Sequence, residues 1–500
     1  MLKFKNKNIN ILLPLTLLSI IFIAMRLYLI DYSLFGDEFF TAEITSKSVP
    51  KIFQEMKSDL HPPLFFVLVH YSKVIFSSEL GYRFVSITSS IFAVWGIFLI
   101  ARENLSRRIG WFSLFFTITS PLLLSYSQEA RQYALFFCVV VWSTYFIVRF
   151  TQLRKQRDLI AFGILGITGF YTQYIFIIVY FVQLIFAIIQ VPSVRDKIHC
   201  TILTLIITLC FLPWLIYALP SQLKFKDSIQ RSTPSVMIFP KLFAEFTVGH
   251  TLFTIEKQNE IREPNKEDIL QNIPIGLVTI LCYFALFIYG VKKLFFISKP
   301  LFFFMLILCF ITPAIMVVLS YIGVGSFTSA KYSIASLLPL LIILSVATDR
   351  ILDRKSFLGI ITVIGISCLL SLSLYRYYFA RDSFGRWEDW RKCENVINSI
   401  HQDNPKDLII LPNRDRRQFN KYLSKLSYDI TDVEELYLDN LLEEKVNSAL
   451  NIIIINNVVL QNNKIQELMK YLNKSMHLTD LHKCGARLSV SIYSKNLSRL

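Results

Sequence analysis

Charge is scarce in this sequence, and so are the short motifs that announce metal or nucleotide chemistry. Asp, Glu, Lys and Arg make up 18% of 500 residues, while hydrophobic residues reach 54% and Phe alone numbers 43. That balance is too apolar for a soluble multidomain protein, and the chain is too long for one core. The eight cysteines show no CxxC or CxxH spacing, which argues against zinc ligation or a dithiol redox motif. Six lie in or beside apolar runs, where a buried inert thiol is the default. Cys393 and Cys484 fall in a polar segment, and nothing in their spacing supports a bridge. No GxGxxG or P-loop is present to hold a nucleotide. The sequence shows no internal repeat and no low-complexity tract. The net charge of +16 is shared among short loops, so it reads as membrane orientation rather than nucleic-acid binding.

What is there is a series of apolar runs. Membrane helices are predicted near 9–30, 84–101, 109–126, 132–150, 159–173, 174–190, 200–219, 274–293, 300–320, 334–348 and 356–374. Most approach the ~20 apolar residues needed to cross the hydrocarbon. The first run follows Lys3, Lys5 and Lys7 but is too long for a signal peptide, and no small-residue cleavage site follows it, so it is expected to stay as a span. Residues 62–78 carry His70 and Lys73 and read as a juxtamembrane helix. That choice places Arg102/Arg107/Arg108, Arg154/Lys155/Arg157, Arg195/Lys197, Lys292/Lys293/Lys299 and Arg350/Arg354/Lys355 on one face. By the positive-inside rule this face is cytoplasmic. The expectation is a mainly α, polytopic protein of the cell (plasma or inner) membrane with about eleven spans, N-terminus inside and C-terminus outside.

Residues 1–374 would then form the membrane domain, with outer loops at 31–83 and 220–273, and residues 375–500 a small soluble α/β domain. In the first loop Phe39, Phe40, Ile44, Val49, Ile52, Phe53 and Met56 suit a helix lying in the interface, interrupted near Pro50. Helices are predicted at 388–401, 415–426 and 463–473, and strands at 407–411, 451–455 and 486–493.

The ionisable residues avoid the middle of every span and gather at the outer ends, which favours interfacial chemistry over a carrier. Asp37 and Glu38 sit just past the first span. A carboxylate there can take the proton of an attacking hydroxyl; the competing reading is a helix-end cap. Asp37 is the first choice for that base and Glu38 the fallback. Glu129 and Arg131 begin a later span, where they serve acceptor or metal and phosphate respectively, or else cap a helix. His61, before Pro62-Pro63, is a turn residue or a phosphate or metal contact. Arg83 and Lys331 are cations at outer helix ends, able to hold a lipid phosphate or simply to anchor in headgroups.

Taken in order, several segments resemble the bacterial relatives of the dolichyl-phosphate-mannose protein mannosyltransferases. These belong to the GT-C class of membrane glycosyltransferases, which also includes the lipid A aminoarabinose transferases. The segments are Gly36-Asp37-Glu38, Asp59-Leu60-His61-Pro62-Pro63-Leu64, Ser78-Glu79-Leu80-Gly81-Tyr82-Arg83, Tyr126 to Leu135, Gly169 to Tyr174, Ala330-Lys331-Tyr332 and Trp387 to Arg391. The resemblance implies a polyprenyl-phosphate sugar donor, an envelope glycan, lipid or protein acceptor, and inversion at the anomeric carbon on the non-cytoplasmic face. It implies that the acid of the first outer loop is the base. Many relatives have His where this chain has Gln173, and Arg where it has Lys331, which keeps the charge but loses the bidentate fork. Divalent cations serve some members of the class and not others, so no metal is assigned. The competing functions are a flippase for lipid-linked sugars and a non-catalytic glycan-binding scaffold.

Overall fold

The computed structural model describes residues 20–28, 30–225, 238–249, 266–322, 327, 329–353, 357–379, 389–400, 408–411, 429–432, 445, 446, 448, 449, 451–457, 463–484 and 488–495. The expected start of the first span, much of the 220–273 loop and the expected helix at 415–426 lie outside these residues. The chain divides into two units. One comprises Met1–Asp31, Thr41–His250 and Pro274–Leu374; the other comprises Tyr32–Phe40, Thr251–Ile273 and Tyr375–Leu500.

The first unit is a helical membrane bundle. Among the described residues seven helices are long and apolar enough to cross a bilayer: Glu79–Asn104, Tyr133–Leu153, Val194–Lys224, Leu277–Ile297, Lys299–Tyr321, Ile334–Asp353 and Gly359–Phe379. A bent pair, Arg107–Ile118 and Pro121–Ser127, with 58° between its halves, makes an eighth if it is counted as one span. The continuous helix expected over 109–126 is therefore broken, and the cause is local. Pro121 has no N–H to give and disfavours helical backbone in Ser120, whose ψ is 112°. The Ser120 hydroxyl then restarts the helix by accepting the Leu123 N–H. The expected spans 159–173 and 174–190 are Gln156–Thr172 and Phe176–Gln190, of 17 and 15 residues.

Burial separates lipid-facing from core surfaces. Leu205, Leu209, Leu212 and Ile216 run down one exposed face of their helix at helical spacing, as a lipid contact requires. Leu337 to Thr348, by contrast, is buried on all sides, which makes its helix the centre of the bundle. Gly290 packs so closely on the backbone of Ile343 that any side chain there would collide. At the helix ends that carry the basic clusters, Arg108 pairs with Asp349 at 3.1 Å and Arg154 with Asp196 at 3.3 Å.

Between the first two spans the chain makes short helices. Val49–Met56 carries Pro50 in its first turn and buries Ile52 and Met56. Its Phe53 meets Trp214 edge-on at 5.8 Å. Leu64–Ile75 has 12 residues, about 18 Å of helix, well short of the ~30 Å hydrocarbon.

The second unit carries a five-stranded sheet in the order β2-β1-β3-β5-β4. The strands are β1 (Leu408–Leu411), β2 (Asp429–Asp432), β3 (Asn451–Asn457), β4 (His477–Lys483) and β5 (Leu488–Ser494). β1 runs parallel to β2 and β3, and β5 runs antiparallel to β3 and β4. The helix Asn463–Ser475 lays Ile465, Leu468 and Leu472 against Leu408, Ile410, Ile452 and Ile454. Cys393 and Cys484 are both buried free thiols here. Ser33 ties the 32–40 segment to this unit: its hydroxyl accepts the Trp390 N–H at 3.1 Å and faces a carboxylate oxygen of Asp389 at 3.4 Å.

Candidate active site

In the membrane unit, His61, Glu129, Arg131 and Lys331 gather with Asp59 and Tyr133. The turn Asp59–His61 precedes Pro62-Pro63, which start the Leu64–Ile75 helix and hold the turn rigid. One Asp59 carboxylate oxygen accepts the His61 backbone N–H at 2.9 Å and lies 2.5 Å from His61 Nδ1. The Gln222 amide fixes the turn from behind, donating to the Asp59 carbonyl at 2.6 Å and to the Tyr174 hydroxyl at 2.9 Å. Trp214 Nε1 donates to the same hydroxyl at 2.9 Å.

Arg131 acts electrostatically on both Asp59 and His61, and Lys331 acts on His61. Burial resists ionisation of Asp59, but the side-chain and backbone hydrogen bonds from His61, with the Arg131 field, hold its carboxyl below the ordinary range. Burial, aided by Arg131 and Lys331, outweighs Asp59 at His61 and depresses the imidazole. The stable arrangement is thus a carboxylate bonded to a neutral ring with Nδ1–H toward Asp59, leaving Nε2 as an acceptor.

Arg131 is held by its own backbone: its N–H donates to the Glu129 carbonyl at 2.8 Å, and its carbonyl accepts from the Ser86 hydroxyl at 3.1 Å. Its side chain is 4% exposed. Tyr133, two residues on, feels the charges of Arg131, Lys331 and Glu129. Lys331 Nζ stands 5.7 Å from the centre of the Tyr133 ring and 5.3 Å from that of Tyr332. Ala330, just before it, donates its N–H to Glu245 at 3.2 Å, which fixes the short turn carrying Lys331. Gln132 donates to Gln173 at 3.3 Å, which makes Gln173 a hydrogen-bonded part of this wall.

Arg83 sits differently. It is fully buried and donates to the Ile30 carbonyl, where it fastens the end of the first helix. Gln128 reinforces the same end with hydrogen bonds to the carbonyls of Arg26 and Tyr28.

Asp37 and Glu38 belong to the second unit. Gly36, at φ +48°, turns the chain into the helix Asp37–Thr45. Glu38 is buried and its carboxylate reaches back to accept the Phe35 N–H at 3.2 Å, a capping role. Asp37 is exposed in the first helical turn. The two adjacent acids therefore differ in burial, Glu38 lying inside against the backbone and Asp37 at the surface.

Among the described residues no three His, Cys, Asp or Glu side chains gather as metal ligands. The Asp59–His61 pair falls short of such a set, and the Arg131 charge beside it opposes a cation.

The family model for dolichyl-phosphate-mannose-protein mannosyltransferase matches residues 60–217. No curated protein matches the chain by sequence. Among solved structures, the Archaeoglobus fulgidus oligosaccharyltransferase in the apo form aligns with a TM-score of 0.53 and 11% identity, covering 99% of this chain and 75% of that one. The AglB oligosaccharyltransferase of the same organism, in complex with an inhibitory peptide and a dolichol-phosphate, aligns at 0.52 and 10% identity, over 98% and 74%. ArnT from Cupriavidus metallidurans in the apo state aligns at 0.46 and 12% identity, over 96% and 97%. The chain is thus a polytopic membrane protein with the fold of those oligosaccharyltransferases, and over residues 60–217 it is similar to the dolichyl-phosphate-mannose-protein mannosyltransferases.

Proposed function

We propose that this protein is an inverting membrane glycosyltransferase that moves a sugar from a polyprenyl-phosphate carrier to a glycan, lipid or protein acceptor of the cell envelope. The observation that carries the reading is the convergence of Arg131 and Lys331 on Tyr133 and the Asp59–His61 turn. Two cations beside hydrogen-bonding groups at the ends of membrane helices suit a phosphate already lying at the headgroup level.

In the reaction the acceptor hydroxyl attacks the anomeric carbon from the side opposite the phosphate. The new carbon–oxygen bond forms as the bond to phosphate breaks, and the carrier departs as polyprenyl phosphate with one more negative charge. Arg131 and Lys331 stabilise that charge as it develops. Asp37 takes the acceptor proton, and Glu38 holds the turn that presents it. Glu129 orients the acceptor. The chemistry takes place on the non-cytoplasmic face, opposite the basic clusters.

Purified protein supplied with a polyprenyl-phosphate sugar should release polyprenyl phosphate in proportion to glycosylated acceptor. The envelope glycans of a strain lacking the protein should lose the mass of one sugar, which identifies it. Movement of labelled donor across proteoliposome membranes, with no donor consumed when acceptor is present, would replace this reading with a flippase.

A further inference from the structure

Tyr133 opens the helix Tyr133–Leu153 and is 2% exposed. Its hydroxyl has no hydrogen-bond partner among the described residues. Buried polar groups in folded proteins are almost always bonded, so an orphaned phenol is a place to look for a ligand. The contrast with its neighbour sharpens the point. The Tyr126 ring lies 5.2 Å from that of Tyr133, yet the Tyr126 hydroxyl bonds to Ser329 within the protein.

The surroundings fix the chemistry of the missing partner. Lys331 covers the Tyr133 ring, and both Arg131 and Lys331 act on the phenol, with Glu129 as the opposing charge. An O–H in a field dominated by two cations donates best to an anionic oxygen. Resting on the glycosyltransfer reading, we propose that Tyr133 is a donor-binding residue whose hydroxyl gives a hydrogen bond to a phosphate oxygen of the lipid carrier, between Arg131 and Lys331. A neutral donor is suited to this place. It strengthens as charge develops on the leaving phosphate, without adding a third fixed cation that would hold the product.

The test is calorimetric titration of the full chain in detergent with polyprenyl phosphate, polyprenol and inorganic phosphate. Tyr133→Phe keeps the ring and the Lys331 contact and removes only the O–H. Its affinity for polyprenyl phosphate should fall about tenfold or more, while polyprenol binding stays as in the wild type. The melting temperature of the unliganded protein should hold or rise, since an unbonded buried hydroxyl is removed. Tyr126→Phe, which breaks the bond to Ser329, should melt lower and show no loss specific to phosphate.

Equal polyprenyl-phosphate affinity in wild type and Tyr133→Phe would overturn the inference and leave glycosyl transfer standing. A lower melting temperature with equal losses for polyprenol and polyprenyl phosphate would overturn it in favour of a packing role. Inorganic phosphate that binds as tightly as the lipid, with the same dependence on Tyr133, would make free phosphate the ligand and overturn the lipid assignment. A wild type that binds no polyprenyl phosphate would bring down both the inference and the reading beneath it.

Discussion

Asp59 offers a single carboxylate oxygen to both the backbone N–H and Nδ1 of His61, at 2.9 and 2.5 Å. The pairing has a consequence for pH. Burial, with the charges of Arg131 and Lys331, depresses the His61 pKa in the folded protein below its ordinary 6.5. The unfolded chain takes up that proton at higher pH than the folded one, so stability is full above about 6.5 and declines as pH falls toward the folded value. Asp59 is depressed as well, so its contribution persists down to its ordinary 3.8 and is lost below it. The melting temperature should fall between pH 7 and pH 5, and fall less in His61→Gln. An identical slope in both proteins would show that the imidazole titrates alike folded and unfolded.

Arg131 and Lys331 are expected to differ in how they tolerate exchange. Arg131→Ala should weaken donor use more than Arg131→Lys, because charge-assisted hydrogen bonds are worth roughly 1.5–3 kcal/mol each. Initial rates across a range of donor concentration separate the two. Lys331→Arg should be tolerated or improve donor use, since the guanidinium adds a bidentate fork. Three proteins of equal activity would reduce Arg131 to a helix-end residue.

Topology can be tested separately from chemistry. Cysteines placed at Gln230 and at the exposed Lys470 should react with an impermeant maleimide added to intact cells, and one at Lys155 should not. The motive is the row of basic clusters at the opposite helix ends. Labelling at 155 with protection at 470 would invert the orientation.

Which features the sequence revealed follows from the strength of each local signal. The ten apolar runs from residue 84 onward fall on helices among the described residues, because a span must be apolar over its whole length and so writes a long signal. In the sheet unit β1, β3 and β5 were legible as apolar runs, whereas β2, Asp429–Asp432, and β4, His477–Lys483, were not. Those two are the edge strands, where polar residues guard unpaired backbone and erase the pattern. In the site, His61 and Arg131 stood out by type. The contact of the Asp59 oxygen with His61 and the unbonded hydroxyl of Tyr133 are properties of packing, which sequence does not display. The Arg83 bond to the Ile30 carbonyl spans 53 residues, and no local pattern announces it.

The sharpest test of mechanism is Asp37→Asn set against Glu38→Gln. Asp37 is exposed in the first turn of its helix, so the amide costs little in folding and keeps the shape. It cannot accept a proton from an attacking hydroxyl, and turnover should drop about 10²–10⁴-fold with donor binding close to wild type. Glu38 is buried and accepts the Phe35 N–H. Its amide variant can still accept that bond through the carbonyl oxygen, so Glu38→Gln should be milder in turnover. Gly36→Ala probes the same turn from the backbone. At φ +48° a side chain is strained even though the space around it is open, so stability should fall by roughly 1 kcal/mol, with activity lowered through the misplaced acids. Normal turnover in Asp37→Asn with an inactive Glu38→Gln would move the base to Glu38. Full activity in both would remove this turn from the chemistry and direct the search to Glu129.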